Sequence, residues 1–286
     1  MSLSIGFSGT NGWLTKHVIN KLESEPIKII NFDNVTRRLS NRPEKDVIKK
    51  LDWFFHFASK TNIENSINDP FDTYKNNLNS TLAAIEIAQI SKANLLYLSS
   101  YVYGDPEYQP IDERHIVRPK NPYMNSKWIS EQICNDICKQ KNIPLTIFRV
   151  FNVYGAGQKK GRIISDLLND AINNQDLQLN DPDPIRDYLY VEDFNNLLLK
   201  MLYLKKSTDG TYNVGSGESL TNLEVAKVIQ NLVNPSLKIR ILSNPRKNDI
   251  SVCKVNNTKA VDHFDWSPSY SLEKGVKHII DMLQTD

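Results

Sequence analysis

This 286-residue sequence has little cysteine, three residues in all, and no charge of a prevailing sign. Cys134 and Cys138 lie on what reads as one helix, where their Cβ vectors diverge too far for a bridge. A disulfide framework is therefore excluded and a reducing compartment is expected. Five scattered histidines, without a Cys-x-x-Cys or His-Glu-x-x-His pattern, give a metal site no support. Lys and Arg number 35 against 33 Asp and Glu, for a net charge of +2. That balance excludes a global attraction to nucleic acid or to a membrane surface. The basic cluster Lys159-Lys160-Gly161-Arg162 reads as a solvated loop. No apolar run is long enough to span a bilayer, and the charged start and apolar core of a signal peptide are missing, so a cytoplasmic protein is expected. Repeats and low-complexity tracts are lacking too.

What is present is the composition of a globular chain, 40% hydrophobic and 24% charged, long enough to bury a sizeable core. Short apolar runs at Ser4–Ser8, Ile27–Phe32, Trp53–Phe57, Leu95–Leu98 and Leu145–Val150 read as strands. They alternate with helix-period stretches near Trp13–Leu22, Pro70–Ile90 and Tyr123–Lys141, the pattern of parallel βαβ units. Such a sheet binds ligands at the carboxyl ends of its strands. After Val150 the texture turns to loops, with helices near Ile163–Asn173, Glu192–Leu204, Leu220–Leu232 and Leu272–Leu283 and a strand at Thr211–Val214. The expected architecture is α/β, a Rossmann-type doubly wound parallel sheet with a smaller C-terminal region and no clean linker. Residues 1–151, with a contribution from about 187–219, would form the first domain; 152–186 and 220–286 would form the second.

Two segments carry chemistry. Leu98-Ser99-Ser100-Tyr101-Val102-Tyr103-Gly104 ends an apolar run, and Pro122-Tyr123-Met124-Asn125-Ser126-Lys127 opens a helix. The i,i+4 step puts Tyr123 and Lys127 on one helix face. A free tyrosine, with a reference pKa of about 10, is a poor base at neutrality; bringing it to about 7 takes roughly 4 kcal/mol. One ammonium about 4 Å away at an effective dielectric near 20 supplies about that much. The pair, with the Ser99 hydroxyl, makes a workable acid/base set. A second Tyr-x-x-x-Lys, Tyr270 to Lys274, has no Ser-bearing strand before it and reads as a surface pair on the last helix.

The first strand runs into Gly9-Thr10-Asn11-Gly12, a glycine turn before a helix, suited to the approach of backbone N–H groups to a pyrophosphate. Gly6 lies inside the strand, and the third position of the Gly-x-x-Gly-x-x frame is Thr15. Asp33 closes the second strand, where a carboxylate accepts from a ribose 2′-OH and repels a 2′-phosphate. NAD is therefore favoured over NADP, although Arg37 and Arg38 follow closely.

At this point the chain resembles the extended short-chain dehydrogenase/reductases that act on nucleotide sugars, the NAD-dependent epimerase/dehydratase family. The resemblance also rests on Phe55-His56-Phe57-Ala58, Ser66-Ile67-Asn68-Asp69-Pro70 and Tyr74 through Thr81. It continues through Arg149-Val150-Phe151-Asn152-Val153-Tyr154-Gly155, Ile185 through Asp193, Tyr212 through Gly217, Arg246-Lys247-Asn248-Asp249 and Trp266-Ser267-Pro268. It implies Ser99, Tyr123 and Lys127 as the catalytic set. It implies that Gly9, Asn11, Gly12, Trp13, Leu14, Asp33, Asn34, Phe57, Ala58, Ser59 and Asn77 hold the dinucleotide together with Tyr123 and Lys127. A nucleotide-diphosphate sugar would meet Ser99, Ser100, Tyr101, Asn152, Arg186, Arg246 and Asp249, arginine matching a diphosphate through bidentate bonds. Asn152 taken alone reads equally well as a structural amide, and His56 reads as structural. Relatives dimerise through the helices near Pro70–Ile90 and Tyr123–Lys141. A homodimer is expected, although Leu78, Leu82, Ile85, Ile129 and Ile133 could equally face the sheet.

Departures from the pattern narrow the chemistry. Dehydrating members carry an acidic pair after the catalytic hydroxyl; here Ser100 and Tyr101 stand there, which argues against a 4,6-dehydratase. Between Asp33 and Trp53 only Asn34 to Asp52 is available, with Pro43 and one helix-like piece, Glu44–Lys50, so the sheet is expected to be one outer strand short and the adenine pocket differently built. Asp181-Pro182-Asp183-Pro184 replaces glycines near the sugar diphosphate. The leading expectation is a nucleotide-sugar 4-epimerase using bound NAD through a transient 4-keto sugar. The alternative is an NAD(P)H-dependent reductase of a nucleotide-linked 4-keto-6-deoxysugar. A silent dinucleotide sensor is a third reading, disfavoured because Ser99, Tyr123 and Lys127 are all kept. Surface polysaccharide synthesis is the usual setting of the family.

Overall fold

The structure, a computed structural model, describes residues 2–33, 50–244 and 249–285. The expected helical piece Glu44–Lys50, Arg37, Arg38, Asn34 and Arg246 lie outside the described residues, apart from Lys50. Strands β1 (Leu3–Ser8), β2 (Ile27–Asn31), β3 (Trp53–His56), β4 (Asn94–Ser100), β5 (Leu145–Val150) and β9 (Gly210–Val214) form a sheet of order β2-β1-β3-β4-β5-β9. The pairs β1–β2, β1–β3, β3–β4 and β4–β5 are parallel. Among the described residues no strand lies beyond β2. Order reverses beside β1, the switch point at which an open α/β sheet offers a ligand crevice.

The chain divides into two compact units. The first takes residues 1–104, 117–150 and 201–212. In it the helices Pro70–Ser91 and Pro122–Lys141 bury Ala84, Ile85, Ile87, Ala88, Cys134 and Cys138 in one core with Phe54, Leu95, Tyr97 and Ile147 of the sheet. Ile85 and Ile133 thus pack on this core, while Leu82 is exposed. All three cysteines are free and buried.

Both long helices begin with an acceptor side chain followed by proline, which supplies a cap and gives up only a hydrogen-bond donor the first turn would not use. Asp69 accepts from Asp72 N–H, and Asn121 from Met124 N–H. Both end on residues in the left-handed conformation, Lys92 and Asn142.

The second unit takes 105–116, 151–200 and 213–286. The 187–219 stretch expected in the first unit reaches it only as 201–212. Its small sheet pairs β8 (Ile185–Tyr190) with β6 (Asn152–Tyr154) in parallel and with β10 (Ser219–Thr221) antiparallel. Thr221 and Glu224 form a capping box that starts the helix Asn222–Val233. Asp193 is buried and accepts from the Ser269 and Tyr270 N–H groups, while the Trp266 indole N–H donates to its carbonyl. Two distant sequence landmarks, Val-x-Asp and Trp-x-Pro, are therefore one joint. Tyr270 belongs to that joint and precedes the last helix, Leu272–Thr285. Tyr270 lies outside that helix, so the second Tyr-x-x-x-Lys is not a pair on one helix, although the Lys274 ammonium lies 4.3 Å over the Tyr270 ring. No helix among the described residues is long and apolar enough to cross a membrane.

Candidate active site

The glycine turn comes first. Gly9 has φ +84, and a Cβ there would stand 2.6 Å from the Ala58 nitrogen. The Phe57-Ala58 backbone therefore crosses close above the turn, as only glycine permits. Gly12 N-caps the helix Trp13–Leu22 without a side-chain cap bond, and its N–H returns to the Gly9 carbonyl at 2.9 Å. The first N–H groups of that helix, which opens with Trp13 and Leu14, form a donor set that fits a pyrophosphate. Asp33, buried two residues beyond the end of β2 rather than closing it, accepts from Gly9 N–H, Thr10 N–H and the Thr10 hydroxyl, with the Asn11 amide at 3.4 Å. Asn77, buried, accepts from Lys60 N–H at 2.7 Å and donates to the Ser126 hydroxyl at 2.9 Å. It ties the loop after Phe57, Ala58 and Ser59 to the helix of Tyr123.

That helix is pinned by side chains along its length. Tyr123 N–H donates to the buried Ser66 hydroxyl at 3.3 Å, the Asn125 amide to the Tyr74 hydroxyl at 2.8 Å, and the Thr81 and Ser130 hydroxyls meet at 3.2 Å. Ser66 thus takes one of the donors that a helix N-terminus leaves over. Lys127 is 3% exposed, and its ammonium stands 4.3 Å over the ring of Tyr97. Burial lowers its pKa from 10.5 to about 8, against the smaller upward pull of Cys134 and Glu131. Burial likewise holds the Tyr97 phenol well above its usual value, and the neighbouring Tyr123 adds to that.

Tyr97 and Ser99 share a face of β4 by the two-residue period of a strand. Ser99 is buried, and its hydroxyl donates to the carboxylate of Glu131, which has no exposed surface. Glu131 in turn binds Arg149, Nη2 to Oε2 at 2.6 Å and Nε to both oxygens at 3.1 Å; Arg149 Nη1 donates to the Tyr103 hydroxyl at 3.0 Å. Burial works against the Arg149 charge, but the Glu131 bonds outweigh it and hold the guanidinium above its ordinary range. Ser100 is half-buried at the end of β4. The Tyr101 hydroxyl donates to the Gly104 carbonyl at 2.5 Å. Gly104 has φ +75, and a Cβ there would stand 2.0 Å from the Arg118 carbonyl oxygen.

His56 closes the chain of polar groups. The Ser8 hydroxyl lies 2.7 Å from Nδ1 and the Thr81 hydroxyl 3.2 Å from Nε2. Because Thr81 donates to the Asn77 carbonyl at 2.8 Å, Nε2 carries the proton and Nδ1 accepts from Ser8. Burial first, and Lys127 second, lower the His56 pKa to about 3. It is a neutral structural residue, as its sequence position suggests.

In the second unit Arg186 and Asp249 meet, Nη2 to Oδ1 at 2.8 Å. The exposed Asn152 donates its amide to the Asp187 carbonyl at 2.9 Å. Asp187 accepts from Ser216 and Gly217 N–H at 2.7 and 2.8 Å, yet its burial raises its pKa to about 7. Sequence reasoning passed over Tyr97 and Glu131, and it gave Ser66 and Thr81 no role beyond the landmarks they belong to. The helix-face arithmetic that pairs Tyr123 with Lys127 reaches Glu131 at the next step, and strand alternation from Ser99 reaches Tyr97.

A glycine turn with an acceptor carboxylate, and a hydroxyl, a phenol and a buried ammonium arrayed across one strand and one helix, define a dinucleotide-dependent enzyme fold. The NAD dependent epimerase/dehydratase family matches residues 7–215, and the chain belongs to it. A putative UDP-glucose 4-epimerase of Methanocaldococcus jannaschii is 26% identical over 98% of both chains. The UDP-glucuronic acid decarboxylase 5 of Arabidopsis thaliana is 27% identical over 96% of this chain and 87% of its own. In fold the chain is similar to the UDP-glucose 4-epimerase of Thermotoga maritima, with a TM-score of 0.88 at 20% identity over 99% of both chains.

Proposed function

We propose that this protein is a nucleotide-sugar 4-epimerase that works with NAD. The observation that carries the reading is the buried Lys127 ammonium over Tyr97, on the helix that carries Tyr123 and against the strand that carries Ser99. Residues Gly9, Asn11, Gly12, Trp13, Leu14, Asp33, Phe57, Ala58, Ser59 and Asn77 would hold NAD, which when bound takes up the C4 hydrogen with its electron pair and gives it back. Tyr123 removes the C4 hydroxyl proton and later returns it. Ser99 would turn its one hydroxyl proton from Glu131 to the same oxygen, donating to it as it loses its own proton. Lys127 is largely protonated at neutral pH, because its pKa of about 8 lies above 7, and its charge favours the Tyr123 phenolate. Arg186, Asp249 and Asn152, with Arg246, would hold the substrate's diphosphate and nucleoside, the arginines matching the diphosphate. Return of the hydrogen to the opposite face of the 4-keto sugar inverts C4.

Ser100 and Tyr101 supply no carboxylate for removing a C5 proton, which supports epimerisation over dehydration. Oxidation at C4 would also serve decarboxylation of a uronic acid, a second reading favoured by the Arabidopsis relative, and the reverse step would serve reduction of a 4-keto sugar. An NMR time course with UDP-, dTDP- and GDP-hexoses, with UDP-glucuronate, and with a nucleotide-linked 4-keto sugar plus NAD(P)H separates them. Interconversion of C4 epimers supports the proposal; release of CO₂, or consumption of NAD(P)H with a 4-keto sugar and no epimerisation, refutes it. Tyr123→Phe should keep dinucleotide binding and lower kcat by orders of magnitude. We also place the enzyme in the cytoplasm, on its three free thiols, as a homodimer, on the exposed apolar residues Phe71 and Leu82 of the helix Pro70–Ser91.

A further inference from the structure

We infer that Thr10 is a latch on the adenosine end of the dinucleotide site: its hydroxyl occupies the Asp33 carboxylate, so the cofactor's ribose must displace it and the dinucleotide binds reversibly. This rests on the Gly9–Gly12 turn and Asp33 being the dinucleotide site, and is independent of which sugar reacts.

Asp33 is 7% exposed, and its oxygens are taken. Gly9 N–H reaches Oδ1 at 2.5 Å, Thr10 N–H reaches both oxygens at 3.1 Å, the Thr10 hydroxyl reaches Oδ2 at 2.6 Å, and the Asn11 amide reaches Oδ2 at 3.4 Å. A carboxylate offers about four lone-pair positions, and these four donors fill them. The arrangement closes on itself. The Asn31 side-chain Nδ2 donates to Thr10 Oγ1 at 2.9 Å, and its Oδ1 accepts from Asp33 N–H at 2.8 Å. Thr10, Asp33 and Asn31 therefore form a satisfied ring.

The main-chain donors are fixed by the turn. The Thr10 hydroxyl sits on a rotatable side chain, and the Asn11 bond is long; these two are what a ribose diol can replace. Displacing a charge-assisted bond within the protein for another of the same kind gains less than displacing loosely held water. The latch should therefore weaken the adenosine half of the ligand by about tenfold, the worth of one ordinary hydrogen bond.

Calorimetric titration of the full chain with NAD, ADP-ribose and nicotinamide mononucleotide tests this. Thr10→Val keeps the shape and removes the donor. It should tighten NAD and ADP-ribose by about tenfold and leave nicotinamide mononucleotide, which lacks the adenosine ribose, unchanged. Thr10→Ser should bind like the wild type, which should itself purify without a full complement of dinucleotide. Wild-type protein that carries stoichiometric NAD through purification, or Thr10→Val that binds ADP-ribose no more tightly, overturns the latch. A wild type blind to ADP-ribose removes the site altogether. Loss of epimerisation with these binding ratios intact counts against the proposed reaction and not against the latch.

Discussion

Replacing Lys127 by methionine should abolish turnover and make the protein more stable. The ammonium is 3% exposed, and burial lowers its pKa from 10.5 to about 8. That drop corresponds to about 3 kcal/mol charged against the folded state when the lysine is protonated. The unfolded chain keeps the proton up to about 10.5, whereas the folded chain keeps it only to about 8. Between these values the unfolded state binds more protons, so this contribution to stability rises with pH and the cost is complete below about 8. Methionine has a similar reach and no charge. It forfeits the cation–π contact with Tyr97, 4.3 Å from the ring centroid, worth about 1 kcal/mol. Lys127→Met should therefore gain about 2 kcal/mol at pH 7, and the gain should vanish by pH 10. Urea unfolding of the dinucleotide-free protein at the two pH values reads this directly. A variant less stable than wild type at pH 7, or a gain equal at both pH values, would show that the ammonium is compensated where it lies.

The buried Glu131–Arg149 pair predicts the opposite sign. Glu131→Gln leaves the Arg149 charge unpaired and should cost about 3–5 kcal/mol in urea unfolding, and Glu131→Met with Arg149→Met should recover most of it while kcat stays low, because Ser99 has lost its anchor. His56, neutral when folded with a pKa of about 3 against 6.5 when free, makes the unfolded state the better proton binder between those values. Stability should fall by about 2 kcal/mol from pH 7 to pH 5 through this group, and His56→Gln should flatten that limb of a Tm-against-pH curve. Gly104→Ala, which drives a Cβ into the Arg118 carbonyl, should cost more than about 3 kcal/mol. Gly161→Ala, with φ +97 and no neighbour within 4 Å, should cost only about 1–2 kcal/mol for its backbone conformation.

The parallel sheet was legible because its strands are apolar on both faces and its helices are long. The run Leu145–Val150 and the helix Trp13–Leu22 have the bounds that the sequence pattern assigns them. Elements built on few residues escape such reading. The helices Ile63–Asn68 and Thr258–Phe264 are shorter than two turns, and β6, β10 and β11 (Ile239–Ile241) have three residues each. Six-residue β8 is interrupted by Arg186 and Asp187, which breaks its hydrophobic pattern. Asp187 is inside because two backbone N–H groups from Ser216 and Gly217 meet it there, a partnership across the chain that no local pattern encodes.

For the site, charge decides which Tyr-x-x-x-Lys is chemically useful. Tyr123, Lys127 and Glu131 stand one turn apart on one helix, so a reader of the sequence could assign Glu131 to Lys127 as an ordinary i,i+4 ion pair. Such a pair would neutralise the ammonium and leave nothing to favour a phenolate. Register prevents it: β4 and β5 pair Ser99 with Arg149, and the guanidinium takes both oxygens of Glu131. The face then carries Lys127 with an aromatic ring beneath it and, among the described residues, no carboxylate bonded to it. In the proposed reaction that positive charge is what would favour an anion at Tyr123. The exposed Lys274, by contrast, donates to the Ser269 carbonyl and lies over the Tyr270 ring, where water screens its charge.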